Sequence, residues 1–317
     1  MWLKSWVDAS ELISWFDDAA CEDPEIAGGK GASLARLQRA GLPVPYGFVV
    51  RAEALVRTLE SGERHRRVSG LLEDASPDGL PARAKDAQAL VMEAPLVSGL
   101  DSEVVRAYER LGEAAVAVRS SACAEDSETA SFAGQQDTFL NVRGSTAVLA
   151  SVRQCWASFF SERAVFYRSR KGSLGDLRMA VVVQRQLAPE KSGVMFTVDP
   201  VRRRRDQMVI EAVQGLGESV VSGMVTPDHY IVSREGELKR AQVSTQTLAI
   251  VAAAQGGVQE VALDPAVGGA RVLSDGELAD LAQMGSKLEE LFGSPQDVEW
   301  AFENERLYLL QSRPVTA

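Results

Sequence analysis

Apolar residues recur at helical spacing in ASLARLQRAG, where Leu34 and Leu37 mark one face and Gly41 is placed to end the helix. Residues 12 to 27 carry no strong periodic signal. Leu42 to Val50 reads as a turn and then a buried strand, its prolines confined to the start. From Arg51 to Arg110 the pattern is helical and polar, broken at Pro77, Gly79, Pro81, Pro95 and Gly99. A single amphipathic helix is expected from about Ser145 to Lys171, with Val148, Val152, Cys155, Trp156, Phe159, Phe160, Ala164 and Tyr167 on its apolar face. Met179 to Leu187, Ser192 to Pro200 and Met208 to Gly217 follow as strands. Tyr230 to Val232 and Leu238 to Val243 form a small strand pair around Glu235-Gly236, and Gln246 to Ala270 shows no clear chemistry. A helix is expected from Asp275 to Phe292, with Ser274 as N-cap and Glu277 completing a capping box.

The last segment, DVEWAFENERLYLLQSRPVTA, alternates in two runs and predicts a hairpin. Strict alternation then sets a condition. Only a connection with an odd number of residues puts Glu299 opposite Gln311, and Asp297 opposite Arg313, on one face. A carboxylate and a carboxamide side by side are acceptable oxygen ligands for Mg2+, which keeps waters and leans on substrate phosphates for the rest. The alternative is an exposed polar face with a surface ion pair.

Composition narrows the setting. The 317-residue chain is 45% hydrophobic, enough for two domains or one large two-lobed one. Its 34 Lys and Arg stand against 44 Asp and Glu, a net charge of -10, which argues against a nonspecific nucleic-acid binder. Neither a membrane-length apolar run nor the charged-then-apolar order of a signal peptide is visible, so a cytoplasmic protein is expected. Cys21, Cys123 and Cys155 are too few and too scattered for a disulfide framework or zinc site and read as free thiols. His65, in the charged run GERHRR, reads as solvated.

Candidate chemistry falls in separate clusters. Lys30 lies in Gly28-Gly29-Lys30-Gly31, a glycine-lined helix entrance where backbone N–H groups, the helix dipole and the ammonium suit a phosphate. It is not a Walker A loop, which would need Gly at Pro24 and Ser or Thr at Gly31. Val116 to Val142 carries Arg119 and is rich in small and acidic residues, suiting a surface loop or one held against a polar ligand. Gln184 ends an apolar strand and needs a partner, either a ligand or a backbone group. Arg202 to Arg205 read as a hairpin tip, solvated or facing an anionic surface. Gly215 to Asp228 is glycine-rich, its lone GxG weak as a motif. Together Lys30, Arg119, Gln184, Glu299, Gln311 and Arg313 are the residue types that hold a metal-nucleotide.

The blocks GGKGASLARLQRAGLPVPYGFVV, VRSSACAEDSETASFAGQQDTFLNV, SGVMFTVDPV, IEAVQGLGESVVSGMVTPD and DVEWAF with LYLLQSRPVT resemble, in order, the N-terminal nucleotide-binding domain of the phosphoenolpyruvate synthase, pyruvate phosphate dikinase and rifampicin phosphotransferase family. The resemblance implies an α+β ATP-grasp fold of two lobes, residues 1–188 and 189–317, with ATP and Mg2+ in the cleft between them. It implies that Lys30, Arg119 and Arg313 bind the phosphates, that Gly134 and Thr138 belong to a loop closing over them, and that Gln184 lies near the adenine and ribose. Glu299 and Gln311 would ligate Mg2+, and the Ser131 to Gln136 segment would move. Cys123 and the Arg202 to Arg205 run depart from the family's commoner residues. The family's mobile phosphohistidine domain has no counterpart here. The implied activity is therefore that of an ATP-dependent phosphotransferase component serving a histidine on a separate carrier protein, or a small-molecule acceptor, without nucleic acid or membrane. A nucleotide-sensing or regulatory subunit that holds ATP without using it is the alternative.

Overall fold

The computed structural model describes residues 12–60, 63–73, 79–123, 137–171, 174–202, 204–221 and 223–315. Strand β1 (Ile13–Trp15) and a 3-10 turn at Ala19–Glu22 lead into helix α1 (Pro24–Arg39), then β2 (Gly47–Val50). Helices α2 (Ala52–Glu60), α3 (Arg64–Glu73), α4 (Leu80–Met92) and α5 (Leu100–Arg110) follow. Next come β3 (Val116–Ala122), β4 (Thr138–Val142), α6 (Ser145–Ser158), α7 (Glu162–Lys171) and β5 (Met179–Arg185). These five strands form one antiparallel sheet in the order β1-β2-β5-β3-β4.

The chain continues through β6 (Lys191–Phe196), β7 (Gln207–Gln214), α8 (Glu218–Val221), β8 (Asp228–Ser233), β9 (Leu238–Gln242), β10 (Leu248–Ala252), β11 (Val258–Ala262), α9 (Pro265–Gly268), α10 (Asp275–Phe292), β12 (Gln296–Glu303) and β13 (Arg306–Pro314). A second antiparallel sheet runs β13-β12-β6-β7-β8-β9, while β10 and β11 pair only with each other as a ladder.

The continuous apolar run of β5 is explained by burial on both faces. Val181 and Val183 join Phe48, Val50, Val116 and Val118 against the helices from α2 to α7. Ala180 and Val182 join Val49 and the α1 residues Ala27, Leu34 and Leu37 in a second core, which continues into Met195, Ile210, Val298, Trp300 and Leu288. The sheets therefore divide between residues 185 and 191, but the second core draws on α1 as well as on the later strands. Helix α10 lies over this core. It starts at Ser274, whose side chain accepts from the Glu277 N–H while Glu277 accepts from the Ser274 N–H, the expected capping box.

Two expectations are corrected. The helix between Ser145 and Lys171 is two helices, because Phe160 N–H and Ser161 N–H bond back to Ala157 and Ser158 carbonyls while the Ser158 hydroxyl takes the Cys155 carbonyl. These shorter bonds tighten the chain and re-aim α7, whose buried Arg168 stacks on Phe159 at 3.8 Å. The stretch before Gly28, which carries no periodic signal, is helical from Pro24: Asp23 accepts from the Glu25 N–H, and proline occupies the first turn.

Candidate functional site

Lys30 sits just past a break in α1 rather than at its start. Gly28 adopts φ +68°, and a Cβ there would meet the Ser121 carbonyl oxygen at 2.1 Å. The Ser121 hydroxyl fills the break, accepting from the Gly31 N–H at 3.1 Å and donating to the Ala27 carbonyl at 2.8 Å. That glycine N–H is thereby spent inside the protein. Lys30 is half-buried, and its charge reaches the Cys155 thiol, which burial pushes upward beside Asp137. One helical turn on, the Ser33 hydroxyl donates to the Ser312 carbonyl at 2.6 Å, tying α1 to β13.

The hairpin of β12 and β13 places Glu299 opposite Gln311 and Asp297 opposite Arg313, but not through an odd connection. Glu303 pairs with Arg306, so the turn is the two residues Asn304 and Glu305, both at positive φ (52° and 62°). Parity is restored by a bulge. Trp300 pairs with Leu309 and Glu299 with Gln311, leaving Leu310 as the extra residue. Trp300 and Leu309 stay in the core while Glu299 and Gln311 share the other face.

Arg119, on β3 and only 8% exposed, organises that face. Its Nη2 donates to Glu299 Oε2 at 2.7 Å and to Gln311 Oε1 at 2.9 Å, and its Nη1 to the carbonyl of the bulged Leu310 at 2.8 Å. Two hard oxygens thus converge on one cationic atom, the property a shared Mg2+ ligand pair needs. Among the described residues no group of three or more His, Cys, Asp or Glu is placed to hold a metal. The Glu299–Gln311 pair alone offers two oxygens, the kind of donor set that a hard cation would have to complete with other oxygens. Arg313 is engaged by Asp297, its Nε at 2.9 Å and Nη2 at 2.8 Å from Oδ2. Burial pushes the Asp297 carboxyl above its ordinary value, with Arg313 pulling against it and Glu299 adding to the rise.

A cavity of about 350 Å³ opens between the two sheets. Arg119, Thr138, Gln184 and Glu299 line it; Gln311 joins through Arg119, while Lys30 and Arg313 are not part of its wall. Thr138 opens β4 directly opposite Arg119 in the ladder. Gln184 is 2% exposed, and its Nε2 donates to the Pro45 carbonyl at 3.1 Å, so a backbone group takes its amide while the residue still borders the cavity. Gly134 and the Ser131 to Gln136 segment lie outside the described residues.

Sequence reasoning missed part of the wall. Asp137, whose carboxyl burial pushes upward, lines the cavity beside Thr138. Leu216, Gly217 and Glu218 form part of the wall; their signal was the glycine-rich GLGES, a motif too short to interpret alone. The three cysteines are free, with burial pushing Cys21 and Cys123 to about 12, which keeps them as thiols at neutral pH.

Two antiparallel sheets enclose a mixed polar and apolar cavity, bordered by a carboxylate–carboxamide pair and a buried arginine, in an α+β fold. The chain belongs to the pyruvate phosphate dikinase AMP/ATP-binding domain family, whose model matches residues 24–317. It is 41% identical over 320 residues to a probable phosphoenolpyruvate synthase of Methanocaldococcus jannaschii, covering 98% of this chain and 27% of that protein. It is 42% identical over 296 residues to a rifampicin phosphotransferase of a Streptomyces species, covering 91% of this chain and 34% of that protein. The chain thus spans about a third or less of the length of these relatives. Among solved structures, D-alanyl-alanine synthetase A from Vibrio cholerae O1 biovar eltor is a distant likeness, at 11% identity and a TM-score of 0.30 over 68% of this chain and 47% of that one. Among the described residues no helix is long and apolar enough to cross a membrane.

Proposed function

We propose that the chain binds Mg-ATP in the cavity between its sheets and serves as the ATP-consuming part of a cytoplasmic phosphotransferase. The acceptor would be a histidine on a carrier domain or protein, with ATP going to AMP, or a small molecule. Residues 1–188 and 189–317 would be the lobes on either side of the nucleotide. The observation that carries this reading is the convergence of Glu299 Oε2 and Gln311 Oε1 on Arg119 Nη2, beside a cavity that reaches Gln184.

Bound Mg2+, held by Glu299 and Gln311, would supply charge that binds and polarises the phosphate oxygens. Arg119 keeps those two oxygens pointed at one place and adds its own charge beside them. Lys30 brings an ammonium to the phosphates from α1, and Arg313 does the same once exchanged from Asp297. Thr138 would face the triphosphate from the start of β4, and Gln184 would sit by the base and ribose. Transfer then rests on positioning and charge neutralisation rather than on covalent chemistry by the protein.

Titration calorimetry with ATP, with and without Mg2+, followed by nucleotide product analysis in the presence of candidate acceptors, tests the reading. AMP formation supports dikinase chemistry and ADP simple kinase chemistry. Magnesium-dependent binding with no product under any acceptor points to a sensor, and absence of binding refutes the site. Lys30→Ala should lower turnover by about 10²–10³-fold, the scale of losing one charge-stabilising donor, with the fold intact by circular dichroism.

A further inference from the structure

The hairpin of β10 and β11 crosses from one sheet to the other. Its root is fixed to the second sheet: the Leu216 N–H donates to the Ile250 carbonyl at 2.8 Å, and Gly215 lies so close that a Cβ would meet that oxygen at 2.5 Å. Gln246, just before β10, donates to the Ala212 carbonyl at 3.2 Å and accepts from the Gln214 N–H at 3.0 Å. Ala249 and Ile250 of β10 are buried at this root, whereas β11 is exposed along its whole length, so burial does not hold the outer strand down.

Its tip is fixed by one side chain from the first sheet. Asn141, on the edge strand β4, is fully buried, and its Nδ2 donates to the Ala253 carbonyl at 2.6 Å and the Gly257 carbonyl at 2.7 Å. The Gly257 N–H returns a bond to the Asn141 carbonyl at 3.1 Å. Asn141 Oδ1 accepts from Arg143 Nε, and its N–H donates to Gln186 Oε1, so every polar group of the residue is used. Its backbone is left-handed, at φ +52°, a conformation that asparagine tolerates better than most side chains.

Neither Asn141 nor the hairpin lines the cavity itself, but both anchor points sit beside residues that do. The root adjoins Leu216, Gly217 and Glu218, and the tip is held one residue past Leu140 and three past Thr138. We infer that β10–β11 is a strap across the mouth of the cavity and that Asn141 is its latch, a positioning residue that fixes how far β4 stands from the second sheet. Its effect on nucleotide binding rests on the ATP reading; the latch itself does not. Residues 253–257 and Asn141 are 112 to 116 apart in sequence, so the two carbonyl contacts are a tertiary clamp rather than a local turn.

Asn141→Gly tests this without straining the backbone, because glycine accepts positive φ freely. Asn141→Asp keeps the shape but turns a carboxylate onto two carbonyl oxygens. Hydrogen exchange across residues 253–258 should quicken about tenfold or more in both variants, while exchange across Val181 to Val183 stays as in the parent protein. The Kd for Mg-ATP, measured by calorimetry, should rise about tenfold, the scale set by losing a hydrogen bond or two. Unchanged exchange at the tip, or an equal rise throughout the first sheet, overturns the latch. Faster exchange at the tip with unchanged Kd overturns the positioning role. If the parent protein binds no Mg-ATP, the reading of the site fails and takes the positioning role with it, while exchange still decides the latch.

Discussion

Arg119 is held by three oxygens that lie roughly 180 to 190 residues away in sequence, and none of those partnerships can be read from its neighbours. The sequence marked it as a cation in a polar stretch; only the fold shows that its fork spans Glu299 and Gln311. Arg119→Lys keeps the charge and loses the fork. It should weaken Mg-ATP binding by at least tenfold in calorimetry while leaving the melting temperature within a few degrees. A second residue-scale expectation concerns Glu277. Burial pushes its carboxyl up, but the Lys191 ammonium and the amide and hydroxyl of Ser274 outweigh burial and hold it below its ordinary value of 4.5. A carboxyl held low in the folded state contributes stability that is whole above its unfolded value and is lost as pH falls through the folded one. Lys191→Met should therefore cost about 1 kcal/mol in urea unfolding near pH 7 and almost nothing near pH 3.

Most elements were legible because their signals are local. The α10 capping box needs only Ser274 and Glu277, and the β5 valines need only their own run. The break at Gly28 and the bulge at Leu310 were not, because each is completed by a residue far along the chain: Ser121 in one case and Arg119 in the other. Counting parity through the terminal hairpin gave the correct pairs for the wrong reason, since a bulge does what an odd turn would have done. Deleting Leu310 separates the two. A regular two-residue hairpin would still set Gln311 against Glu299, but the carbonyl that accepts from Arg119 Nη1 would be gone. The variant should fold by circular dichroism and bind Mg-ATP about 10- to 100-fold more weakly, the range of one hydrogen bond to a charged group.

At the scale of the whole molecule the cavity is made by elements that meet only when both sheets are in place. Ligand binding there should accordingly stabilise the entire fold. At about 100 times Kd, Mg-ATP should add roughly 2.7 kcal/mol and raise the melting temperature by several degrees, an effect that EDTA abolishes. The sequence could name candidate ligands for this cavity but not its mouth, because the β10–β11 segment is alanine- and glycine-rich and acquires meaning only from where its tip is pinned. The break in α1 has a temporal consequence. Its two halves are joined through a hydroxyl from β3, 90 residues later in the chain, so the lysine-bearing turn cannot take its final shape until that strand has been laid down. In refolding followed residue by residue, protection at Gly31 should arrive with β3 rather than with the rest of α1, and Ser121→Ala, which removes its acceptor, should abolish it.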